Sequence, residues 1–104
     1  MAWTVALVRF VAGLFLANAV PHFTKGIAGE PFPSPFASPP GRGLSSPLVN
    51  VLWGWFNLAV AWALLTHPGG FQWGWNAETA WLMLGILISG LGLALFFGHP
   101  SKKG

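Results

Sequence analysis

Apolar residues fill three stretches of the chain, residues 2–20, 47–66 and 79–98, separated by two connections rich in proline, glycine and polar residues. Each stretch has the roughly 20 residues that a helix rising about 1.5 Å per residue needs to cross about 30 Å of hydrocarbon. Backbone groups in lipid must pair within their own segment, so helices are the economical form. The strands of a membrane barrel would alternate in polarity, and these runs do not. The pattern predicts an all-α integral membrane protein with three transmembrane helices in a single unit, residues 1–104. A long Pro/Gly/Phe-rich loop, residues 21–46, joins helices one and two.

Local chemistry marks the helix ends. Ser46 before Pro47 places a capping hydroxyl ahead of a proline at the first helical position, where its missing N–H is harmless. His67, Pro68, Gly69 and Gly70 end helix two. Asn76 can cap helix three, with Glu78 in the first turn where the helix dipole favours an anion, and Gly98 and Pro100 close it. Pro21 is expected to end helix one, the alternative being a kinked continuation to Thr24. A cleaved secretory signal is a second reading of the N-terminus, because Ala17, Asn18 and Ala19 form a small-x-small site. Against it, no positive charge precedes the apolar run, and Arg9 lies inside it.

Composition agrees with lipid as the surroundings: a soluble domain carries about a quarter charged residues, whereas here 7% are charged and 54% hydrophobic among 104 residues. Lys25, Arg42, Lys102 and Lys103 fall in the first loop and the C-terminal tail, and the other side has no Lys or Arg. The positive-inside rule then places the N-terminus outside and the C-terminus in the cytoplasm, with the inner (plasma) membrane of a bacterium as the expected location. Trp3, Trp73, Trp75 and Trp81 fall at the outer boundary and Trp53 and Trp55 near the inner one. This placement reads as interfacial anchoring in preference to a ligand-binding aromatic cage.

Polar residues inside the spans are the candidate functional or packing positions. Arg9 has three readings: its guanidinium snorkels to the outer boundary, it forms a bidentate pair with Glu78 at the same depth, or it stands unpaired in a channel. The paired reading carries a test, since reversing both charges together should restore what either single reversal loses. Asn50, Gly54, Asn57 and Ala61 share one face of helix two, so two carboxamides point inward as hydrogen-bonding glue. Gly85, Ser89 and Gly92 share one face of helix three and let another backbone approach, within the chain or in an oligomer.

In the first loop Pro31, Pro33 and Pro35 alternate with Phe32, Ser34 and Phe36, which favours an extended, polyproline-like path over helix or sheet. The segment reads as a disordered tether or as a docking segment or plug. Its phenylalanines lie along the inner interface or under the bundle, with Lys25 and Arg42 toward anionic headgroups.

Candidate chemistry is sparse. Glu30 and Glu78, the only acids, fall on opposite sides of the membrane, which removes paired-carboxylate mechanisms. Cysteine is absent, which excludes disulfides, thiolate metal sites and thiol catalysis. His22 and His99 share the inner boundary and could hold a haem or a metal, but each adjoins a proline at a helix end. No cofactor, metal site or catalytic set is therefore expected. The small, membrane-adjacent positive charge implies no nucleic-acid partner. The expected role is a non-catalytic accessory or structural subunit in the lipid bilayer, working by self-association or within a larger membrane complex. The alternative is a homo-oligomeric transporter or channel lined by Arg9, Asn18, Asn50 and Asn57. Arg9 and Asn18 are nine positions apart, half a turn out of phase, which weakens that alternative.

Overall fold

The computed structural model describes residues 2–98. Three helices dominate it: α1 (Trp3–Ile27), α2 (Pro47–Thr66) and α3 (Ala77–Phe97). Each is long and apolar enough, by length and composition, to cross a membrane. α1 packs against both α2 and α3, while α2 and α3 touch each other little, so α1 is the shared element of the bundle.

Burial is inverted relative to a water-soluble domain. The buried apolar residues are mostly small (Ala6, Ala12, Ala19, Ala61, with Leu82), and the largest fully buried side chains are Arg9, Asn50, Asn57 and Ser34. Large side chains such as Leu7, Trp62, Leu87 and Leu95 face outward. Small residues let the backbones come close: a Cβ on Gly13 would lie 2.7 Å from the Ile86 nitrogen, and one on Gly26 would lie 2.7 Å from the Pro47 oxygen.

Helix α1 does not stop at Pro21, as expected from the sequence, but continues to Ile27. The proline ring removes one intrahelical donor. Packing against α2 holds the following turn and a half, where His22 and Gly26 are buried, and Thr24 Oγ1 donates to the Val20 oxygen at 2.7 Å. The helix then ends in a tight turn at Gly29, with φ of 75°, where the Glu30 N–H donates to the Lys25 oxygen at 3.0 Å. Ser46 Oγ accepts from the Val49 N–H at 3.2 Å to start α2, and Asn76 Oδ1 accepts from the Thr79 N–H at 2.9 Å to start α3.

The connection between α1 and α2 is shorter than the 21–46 span expected and is folded. Strands β1 (Phe32–Pro33) and β2 (Leu44–Ser45) pair antiparallel, Phe32 opposite Ser45 and Pro33 opposite Leu44. Ser34 Oγ and Ser45 Oγ lie 2.6 Å apart, and the Gly41 N–H donates to the Ser34 oxygen at 2.8 Å. An extended path without sheet partners is thus replaced by a small ribbon, because the alternating Phe-Pro-Ser run meets a complementary strand eleven residues on. The Phe32 ring sits 5.3 Å from His22 and 4.8 Å from Phe97, which tucks the ribbon beneath one end of the bundle.

Candidate functional site

Two polar constellations lie along the bundle, one at an end and one running from mid-helix toward the other end. At the end holding the α2–α3 connection, Arg9 is 1% exposed. Its Nε donates to Glu78 Oε1 at 2.7 Å, Nη1 to the carbonyls of Leu64 (2.9 Å) and His67 (3.2 Å), and Nη2 to those of Pro68 (3.0 Å) and Gly69 (2.9 Å). A guanidinium has five N–H groups, so every one has an acceptor. The Phe71 ring lies 5.9 Å from its central carbon.

The physical logic is that α2 ends in carbonyls with no intrahelical partner and carries the negative end of its dipole there, while α3 begins with Glu78. A cation supplied from α1 neutralises both. Gly69, with φ of 66°, turns the chain so that successive carbonyls face the guanidinium. Of the three sequence readings, neither snorkelling nor an unpaired charge describes this side chain. The contact with Glu78 is made through one nitrogen and not as a bidentate fork, because the other two nitrogens are held by the turn.

The second constellation is a two-rung ladder between α1 and α2. Asn18 Nδ2 donates to Asn57 Oδ1 at 3.0 Å, and Asn57 Nδ2 donates to the Trp53 oxygen at 2.8 Å. One turn along α1, His22 Nδ1 and Asn50 Oδ1 are 2.8 Å apart. Asn50 Nδ2 faces the carbonyls of Phe32 (2.9 Å), Ser45 (3.3 Å) and Ser46 (3.2 Å), so its Oδ1 must accept and His22 carries its proton on Nδ1. The rings of Phe32, Trp53 and Phe97 surround the imidazole at 5.3, 6.3 and 6.3 Å. Trp53 Nε1 is buried without a hydrogen-bond partner among the described residues.

Comparison with models of protein families, with curated proteins and with solved structures finds no match to this chain.

The remaining sequence candidates divide. Gly85 and Ser89 face α1: a Cβ on Gly85 would run into the Phe10 carbonyl, and Ser89 Oγ donates to the Leu14 oxygen at 3.1 Å. Gly92 is exposed and meets nothing within 4 Å, so it does not share the packing face with them. Beyond Ser89 the inward positions of α3 are Leu93 and Phe97, because α1 at that level turns its His22 face toward the ribbon and Phe97. Lys25 Nζ lies 2.9 Å from Glu30 Oε1, and Arg42 lies 3.9 Å over the Phe96 ring with Nη1 donating to the Phe96 oxygen at 3.2 Å. Both cations therefore have partners within the chain. His99 lies outside the described residues, and no cluster of three metal-ligating side chains occurs among those described.

Several partners have no signal in composition. The carbonyls of Leu64, His67, Pro68 and Gly69 carry no side-chain mark. The pairing of His22 with Asn50 and of Asn18 with Asn57 does have one: the indices fall on α2 as they rise on α1, as facing positions on antiparallel helices must.

Proposed function

We propose that this chain is an integral membrane protein that acts as a non-catalytic accessory or structural subunit, through helix packing and through the residue 28–46 segment. Membrane insertion is supported by the three apolar helices and by the inverted burial, with small and polar groups inside and large apolar groups outside. The distribution of Lys and Arg orients it with the N-terminus outside and the C-terminus in the cytoplasm of a bacterial inner membrane.

The observation that carries the non-catalytic reading is the saturation of Arg9. The strongest polar group in the spans has all five donors engaged by its own chain and offers none to a ligand or an ion. The same fact weighs against a transport path lined by Arg9. The ribbon carries Phe36 and Leu44, each 65% exposed, as its outward apolar contacts.

Extraction in mild detergent or lipid discs followed by native mass measurement tests this role. A reproducible complex, with itself or with another protein, is the expected result. A lone protomer at all concentrations overturns it. Reporters fused to the two termini should read out in opposite compartments, and a shared compartment would remove the three-span topology.

A further inference from the structure

Helix α1 is buried along its Arg9–Ala12–Gly13–Ala19 side, and a second face, flanked by Asn57 of α2 and Ser89 of α3, is only partly covered. On that face lie Leu7, Val11, Leu14 and Asn18, spaced four, three and four residues apart, which is the spacing of a two-helix packing seam. Leu7 is 61% exposed, and Val11, Leu14 and Asn18 are each only partly covered. Leu14 and Asn18, with Phe15, Asn57 and Ser89, line an open groove of about 260 Å³. The next seam positions, Pro21 and Lys25, are unsuited to continue it.

Asn18 decides what fits. Asn57 is oriented by its own bond to the Trp53 carbonyl, which leaves its oxygen to accept one N–H of Asn18. The Asn18 oxygen and its second N–H have no partner among the described residues, although the residue falls near the middle of an apolar span. Acyl chains cannot satisfy an amide. A carboxamide both donates and accepts, so it complements a second carboxamide. A parallel copy related by a two-fold axis along the membrane normal brings that second amide to the same depth without adjustment. A single asparagine in an otherwise apolar seam sets register and partner number in paired helices.

We infer that α1 pairs with α1 of a second copy through Leu7, Val11, Leu14 and Asn18, the two Asn18 amides bonding to each other. This rests on the assembly role proposed above and names the partner.

The chain has no cysteine, so single-cysteine oxidation in native membranes reads the interface directly. Leu7→Cys and Leu14→Cys should give disulfide-linked dimers several-fold above Val20→Cys, which is 55% exposed on the opposite side of α1. In the Leu14→Cys background, Asn18→Ala should abolish the dimer. Asn57→Ala, which breaks the same internal bond but leaves the Asn18 amide, should retain it. Equal crosslinking at residue 20, no crosslinking at 7 and 14, or equal loss from Asn18→Ala and Asn57→Ala would each overturn the pairing. If crosslinking fails while native mass shows a complex with another protein, the pairing falls and the assembly role stands. If mass also shows a lone protomer, both fall.

Discussion

Replacing Arg9 by methionine keeps the apolar stem and removes all five donors, which isolates what the guanidinium contributes. Two groups are left inside without a partner: the carboxylate of Glu78, whose side chain is 16% exposed, and the Leu64 carbonyl. The carbonyls of His67, Pro68 and Gly69 belong to exposed residues and can turn to water. Removing one member of a buried ion pair costs about 3–5 kcal/mol, and the partial hydration available to Glu78 and the turn places Arg9→Met near the lower end, about 3 kcal/mol. Glu78→Gln keeps an acceptor for Nε and leaves the carbonyl contacts in place, so about 1–2 kcal/mol is expected from the lost charge assistance. Arg9→Lys falls between, because three donors on a point charge cannot meet five acceptors.

The double reversal, Arg9→Glu with Glu78→Arg, separates a simple ion pair from the observed clamp. A two-body pair would be restored, as the sequence alone suggests. Here a carboxylate at position 9 would face four carbonyl oxygens, so the reversal should remain at least as unstable as Arg9→Met. Reversible unfolding in mixed micelles, followed by tryptophan fluorescence and helical circular dichroism, measures each value. The reasoning fails if Arg9→Met lies within about 0.5 kcal/mol of the parent, the range of an uninvolved surface site, or if the reversal recovers parental stability.

Gly85→Ala drives a methyl into the Phe10 carbonyl and should destabilise by about 1–3 kcal/mol, whereas Gly92→Ala, with open space around it, should stay within about 1 kcal/mol of the parent; the same unfolding titration compares them. Asn50→Ala strips the partner from His22 and removes the amide donor that ties the Phe32 and Ser45 carbonyls of the ribbon to α2, at about 1–3 kcal/mol. It should raise amide hydrogen exchange across residues 30–46, and unchanged exchange there would show that the ribbon is held by its aromatic contacts alone. A double-mutant cycle of Asn18→Ala and Asn57→Ala should return a coupling of about 0.5–1 kcal/mol, the usual worth of an interhelical amide bond in a membrane.

Parts of the site could be read without coordinates, and the reason differs by residue. Asn50 and Asn57 share a face because of helical periodicity, and both are buried with Gly54 and Ala61. Arg9 and Glu78 meet because three consecutive antiparallel helices put residue 9 and the start of helix three at one end of the bundle. The four carbonyls that complete the clamp belong to the backbone of a turn, and backbone groups have no signature in residue identity. His22 is legible in the sequence as a candidate functional or packing residue at a helix end, but its partner is not, since nothing local shows that α1 runs past Pro21 and carries the imidazole against Asn50. Gly92 shares the i, i+4, i+7 spacing of Gly85 and Ser89, but spacing does not show that the inward face of α3 passes from Ser89 to Leu93 and Phe97.

By itself the sequence determined the local terms: which segments are apolar enough and long enough to form helices of membrane-spanning length, where Ser46, Pro47 and Asn76 start them, and which connections carry positive charge. These follow from propensity, capping and hydropathy, each acting within a few residues. Only the tertiary structure decided which polar groups meet: that Arg9 closes the end of α2 as well as pairing with Glu78, that His22 belongs to Asn50, and that the Phe32 ribbon folds beneath the bundle. Those outcomes depend on helix crossing, on the course of a turn and on the direction of backbone carbonyls, all of which arise between segments distant in the chain.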